Sequence, residues 1–128
     1  PWEKTQTNEL LTQMENFKGV LICATNFLKG LDHAVLRRFK FKIEFKPLTP
    51  EGNLEMYKNL VLPRAQRPLT PAIETGIKSI KNLTPGDFYV VAEQLALMHP
   101  EGMDHAPILS KLKEEIGYKP HANQIGFC

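Results

Sequence analysis

The chain has 128 residues, with 16 Lys plus Arg against 14 Asp plus Glu and a formal net charge of +2. That length holds one or two domains with a core of their own, and so small a net charge excludes a chain built around a long-range field for nucleic acid or anionic membrane. No stretch approaches the roughly 18 apolar residues of a membrane span, and Pro1-Trp2-Glu3-Lys4-Thr5 lacks a signal peptide's layout, so a soluble, cytoplasmic chain with no membrane partner is expected.

Leu10, Leu11, Met14 and Phe17 form one apolar stripe, which predicts a helix over residues 5–17 with Gly19 as its stop. Val20-Leu21-Ile22-Cys23-Ala24 is an unbroken apolar run too short for a helix, as in a strand covered on both faces of a parallel sheet. Cys23 is read there as a small buried hydrophobe. With Cys128 as the other cysteine, there is neither a disulfide framework nor zinc spacing. A short helical turn is expected over residues 32–36. Phe41-Lys42-Ile43-Glu44-Phe45 then alternates apolar and charged residues, as a strand with one wet face does. Its parity sends Phe39, Phe41, Ile43 and Phe45 toward a core and Lys40, Lys42 and Lys46 toward water, which argues against a stacking platform for single-stranded nucleic acid.

From Pro47 the pattern is helical. Leu-Thr-Pro occurs at 48–50, 69–71 and 83–85, and each copy reads as a helix start, with threonine as cap and proline in the first turn. In the third, Leu83 and Phe88 hold the two positions of a hydrophobic staple. The predicted apolar faces are Leu54, Tyr57 and Val61; Ile73, Ile77 and Ile80; Phe88, Val91, Leu95 and Met98; and, from near Pro107, Ile108, Leu109, Leu112 and Ile116. These make a small four-helix bundle, followed by a tail over 118–128. Two strands and one helix cannot sustain a parallel sheet, so the missing strands are expected before Pro1 and the chain is read as a fragment.

The run from Asn8 to Asn26, ending in Ala24-Thr25-Asn26, resembles the segment that follows the Walker B acidic pair in AAA+ ATPases. Leu31-Asp32-His33-Ala34-Val35-Leu36-Arg37-Arg38-Phe39 is similar to the stretch leading to that family's arginine finger, and Leu83-Thr84-Pro85-Gly86-Asp87-Phe88 to the turn of its helical lid that packs near adenine. The resemblance implies an α/β fragment of a parallel-sheet P-loop NTPase domain over 1–46 and an all-α four-helix lid over 47–117. It implies an ATPase that binds ATP with Mg2+ and assembles as a homo-oligomeric ring acting on an unidentified macromolecular substrate. Asn26 would be the sensor 1 residue, Arg38 or Arg37 the finger, and Thr84, Pro85, Gly86 and Asp87 the nucleotide-facing lid turn.

The sequence departs from that pattern in two ways. It contains no Gly-x-x-x-x-Gly-Lys-Thr/Ser and no apolar strand ending in Asp-Glu, so the phosphate cradle, magnesium ligand and water-activating glutamate are missing and the chain alone is expected to be inactive. Where many members begin the lid helix with an arginine, this one has Gly86-Asp87. The residues themselves keep other readings open: an asparagine after a strand also satisfies turn backbone, paired arginines also sit on solvated surfaces, and the fold could serve as a nucleotide-independent adaptor. His33, His99, His105 and His121 show no metal-ligand spacing and are read as surface or capping residues.

Overall fold

The computed structural model describes residues 2–26 and 28–120. It divides into two compact units, the first ending at Glu44 and the second beginning at Phe45. No helix among the described residues is long and apolar enough to cross a membrane.

In the first unit α1 spans Trp2–Asn16, a 3-10 turn covers Leu28–Gly30 and α2 spans His33–Arg38. Leu11 and Met14 are half-buried on α1, while Leu10 and Phe17 are exposed. α2 starts where Asp32 accepts a hydrogen bond from the Ala34 N–H at 2.8 Å, satisfying one of the donors that a helix start leaves over. Val35 is buried.

The expected parallel sheet is not formed among the described residues. Among the described residues there is no strand, only one isolated parallel bridge between Ala65 and Met103. Residues 20–24 form no regular secondary structure and are exposed, with Val20 at 84% and Ile22 at 86%, and Cys23 is exposed rather than buried. Phe41, Ile43 and Phe45 are likewise 77–93% exposed, so the phenylalanine parity does not face a core; Phe39 alone of that set is half-buried. The physical reason is that a strand is a paired object. Its N–H and C=O groups need a neighbouring ladder, and an apolar run without one has nothing to be buried against.

The second unit needs no such neighbour. α3 spans Pro50–Met56 and continues through a π-helical turn at Tyr57–Val61 and a 3-10 turn at Leu62–Arg64; α4 is Pro71–Ser79, α5 Pro85–Met98 and α6 His105–Gly117. Pro63 explains the change of pitch, because it lacks an N–H and its ring would meet the carbonyl of Asn59 in a continued α-helix. The widened turn still buries Tyr57 and Val61 completely.

All three Leu-Thr-Pro copies start helices. Thr49 accepts from the Gly52 N–H at 3.1 Å and Thr70 from the Ile73 N–H at 3.4 Å. At the third copy Asp87 Oδ2 accepts from the Thr84 N–H at 2.8 Å and from the Thr84 hydroxyl at 3.0 Å. Leu83 and Phe88, the staple pair, are both fully buried in the same core. The first and third copies are also tied together, since the Leu48 N–H donates to the Leu83 carbonyl at 2.7 Å.

The core combines Tyr57, Val61, Ile77, Leu83, Phe88, Val91, Leu95, Ile108 and Leu112, all at zero exposure. Asn53, 1% exposed, bridges helices by donating through Nδ2 to the carbonyls of Ile77 (3.2 Å) and Ile80 (2.7 Å), which cover the orphaned end of α4. Met98 is a correction to the expected α5 stripe, being 72% exposed. It is the last residue of α5, so its exposure comes from its place at the helix end and not from its angular position.

α5 thereby offers an internal control. Leu95→Ala, which empties a fully buried site, is expected to lower unfolding stability by about 2–5 kcal/mol, whereas Leu97→Ala, at an 80% exposed site, should stay within about 0.5 kcal/mol of the parent. Urea titrations followed by circular dichroism compare the two, and equal losses would contradict the burial pattern.

Candidate functional site

Asn26 ends the exposed segment 20–26, at a bend, with its own side chain exposed. Nothing in the surrounding residues buries its amide. Arg37 and Arg38 close α2, whose start is set by Asp32, and both are exposed. Consecutive residues on a helix point about 100° apart, so the two guanidinium groups address different directions.

Arg38 has a definite partner. Its Nε and Nη2 donate to Glu15 Oε1 of α1 at 3.1 and 2.8 Å. The two side chains are 41% and 55% exposed, a setting in which an ion pair contributes about 0–1 kcal/mol. Glu15 therefore holds Arg38 loosely.

Thr84, Pro85, Gly86 and Asp87 open α5 in the second unit. Pro85 and Gly86 are exposed, Thr84 is half-buried and Asp87 is buried at 7% exposure. Asp87 is engaged by the fold: beyond the two bonds from Thr84 it pairs with Lys119. Gly86 is different. A Cβ placed there meets only Thr84 Oγ1, at 3.7 Å, an ordinary contact. The fold itself does not require glycine at that position.

The sequence-predicted residues thus fall in two groups, Asn26, Arg37 and Arg38 in the first unit and 84–87 in the second. Among the described residues no cluster of His, Cys, Asp and Glu is placed to hold a metal ion.

Two residues with precise roles escaped the sequence reading. His105, expected at the surface or as a cap, is 1% exposed. Its Nε2 faces the carbonyls of Arg67 and Pro68 at 2.8 and 3.3 Å, and its Nδ1 lies 2.7 Å from the Tyr57 hydroxyl. Carbonyls only accept, so Nε2 carries the proton and Nδ1 accepts from Tyr57. Burial first, and the nearby charge of Asp104 second, push the Tyr57 hydroxyl well above its ordinary value, which keeps it a donor. A signal was present: His105 shares one helical face with Ile108 and Leu112. The second residue is Lys119, placed in the tail by sequence, whose ammonium donates to Asp87 and, at 2.9 Å, to the Asn82 carbonyl. His121 and Cys128 lie outside the described residues.

A strap over 64–68 completes this side of the second unit. Gln66 N–H donates to the Met103 carbonyl at 3.0 Å and Met103 N–H to the Arg64 carbonyl at 3.1 Å. Gly102 makes this possible, with φ of +87° and room for no Cβ, which would sit 2.9 Å from the Arg64 carbonyl oxygen.

Residues 2–47 match the family described as AAA, ATPase family associated with various cellular activities. The match takes in α1, the exposed segment 20–26 and α2, and it ends before α3. No curated protein and no solved structure matches the chain.

The buried polar pair yields a direct expectation for stability. Tyr57→Phe leaves His105 Nδ1 buried without its donor, and should lower the unfolding free energy by about 1–3 kcal/mol. Denaturant titration measures it, and a change below about 0.3 kcal/mol would show that the hydrogen bond is not maintained in solution.

Proposed function

We propose that this chain, a AAA ATPase family fragment over residues 2–47, supplies the sensor, arginine-finger and lid portion of a module that hydrolyses Mg-ATP. In that module ATP is bound at subunit interfaces of a ring, and hydrolysis drives remodelling of a macromolecular substrate. The observation that carries the reading is the family match itself, because both Ala24-Thr25-Asn26 and Arg37-Arg38-Phe39 fall inside it in the family's order. Residues 1–46 belong to the nucleotide-binding core in this reading, and 47–117 to the lid.

The chemistry assigned to each residue follows from its side chain. Asn26 offers a neutral amide that donates to a γ-phosphate oxygen and accepts from the attacking water, ordering both without adding charge. Arg38 offers a permanent charge and a fork for two phosphate oxygens as negative charge develops in transfer. Its exposure at the end of α2 and its weak hold on Glu15 leave it available to a neighbouring subunit's nucleotide. In the lid, the main chain of Thr84-Pro85-Gly86-Asp87 would face the adenine. Gly86, which the fold does not need, leaves space for close approach. Magnesium and the phosphate cradle are assigned to no residue of this chain.

In the ATPase module containing this chain, Asn26→Ala should lower kcat by about tenfold or more while nucleotide binding changes little, since the amide acts mainly during chemistry. Steady-state turnover and a fluorescent-nucleotide titration on the same folded variant separate the two. Unchanged turnover would remove the sensor role.

The finger is tested in trans. Arg38→Ala should reduce turnover by about 10³ to 10⁵ where the guanidinium stabilises phosphoryl-transfer charge, and Arg37→Ala should be milder. Mixed rings of the Arg38→Ala form with a form lacking only the water-activating glutamate should regain activity, because some interfaces then join an intact finger to an intact site. An Arg38→Ala form that is fully active, or is never rescued in verified mixed rings, would make Arg38 a surface residue. A module with no ATP turnover at all would favour the adaptor alternative.

A further inference from the structure

Lys119 stands just past α6, and its own N–H donates to the Ile116 carbonyl at 3.0 Å, which fixes where its side chain starts. From there the ammonium reaches back to the other end of the sequence motif that opens α5. It donates to Asp87 and to the carbonyl of Asn82. Asn82 itself is held in the left-handed region at φ of +68°, a conformation that asparagine tolerates and most residues avoid. One cation thus grips both the residue before the Leu-Thr-Pro motif and the residue that ends its turn.

Asp87 has few substitutes for that partner. It is 7% exposed, and its Oδ2 takes three donors, the Thr84 N–H, the Thr84 hydroxyl and Lys119. Two of these are neutral and local, so they turn with the Thr84–Asp87 segment and cannot anchor it to anything else. Lys119 is the charged partner and the one from a distant element. A buried carboxylate that loses its cation keeps the desolvation and loses the compensation, and the turn would relax outward to rehydrate it.

We infer that Lys119 is a positioning residue, an ionic latch through which the C-terminal end of α6 holds the turn from Asn82 to Asp87 in place and thereby regulates the face presented by Thr84-Pro85-Gly86. The structural half of this inference stands on the contacts alone; its consequence for nucleotide rests on the lid role proposed above. A force or a partner that draws residues following α6 away from the bundle would take Lys119 with it and free Asp87, so the latch makes this turn responsive to whatever acts on the chain beyond the lid.

Amide hydrogen exchange on the 128-residue chain tests the latch. Lys119→Met should speed exchange at the amides of Thr84 and Asp87 by roughly tenfold, the scale of a lost hydrogen bond to a charged group, with the amides of α4 unchanged. Lys119→Arg, which keeps the charge, should restore most of the protection. In an Asp87→Asn background Lys119→Met should add little, since the charge it answers is gone. No change in Lys119→Met, or an equal rise across all the helices, would overturn the inference. In the ATPase module the same substitution should raise the KM for ATP with kcat held. Faster exchange at the turn without any change in KM leaves the latch standing and overturns the nucleotide role of the turn.

Discussion

Every main-chain N–H and C=O withdrawn from water needs a partner, and the two units of this chain meet that requirement in different ways. In the second unit each helix carries its own partners, and the groups left over at helix ends are met one by one. Thr49 and Thr70 take N–H groups at the starts, Asn53 gives its amide to the carbonyls at the end of α4, and His105 gives Nε2 to the strap. In the first unit the apolar run at 20–24 carries strand-forming residues without a ladder, and its side chains stand in solvent. Hydrophobicity alone does not bury a segment. It must first have somewhere to place its backbone.

The same constraint explains what could be read from the sequence. The helices of the second unit are local objects, so caps at Thr49, Thr70 and Thr84, the staple of Leu83 and Phe88, and the spacing of Ile77, Leu95 and Leu112 were all legible, and these residues lie where periodicity places them. Strands are non-local, and Val20 to Ala24 states a preference that only a neighbour can fulfil. Periodicity also misjudged the margins. Met98 continues the stripe in sequence but stands at the end of α5 and is exposed, and the helix changes pitch before Pro63 where the pattern read straight through.

The candidate site was legible in part for a different reason. Asn26 and Arg38 are proposed through motif order, which needs no knowledge of what surrounds them, and their exposed side chains have few contacts that could announce a role. His105 and Lys119 are the reverse. Their roles exist only through partners 48 and 32 residues away, Tyr57 and Asp87, and residue type alone suggested surface and tail. A buried histidine can be suspected when it shares a face with Ile108 and Leu112. A lysine that reaches back across a bundle has no comparable signature.

Asp87 combines a motif position with a structural commitment. As a residue in a lid motif it would be assigned to the ligand, yet its carboxylate is already committed to Thr84 and Lys119 and is nearly sealed from solvent. A carboxylate beside a triphosphate would also oppose binding by like charge unless neutralised. Pairing with Lys119 removes both difficulties: it spends the acceptor on the fold and cancels the charge close to the turn. In the lid role proposed above, recognition would then fall to the backbone of Thr84, Pro85 and Gly86, at a helix start braced by the Asp87–Lys119 pair. The turn is assigned to the adenine end of the nucleotide by its resemblance to the family's lid turn, and an Asp87 already paired with Lys119 removes the like-charge objection to that assignment.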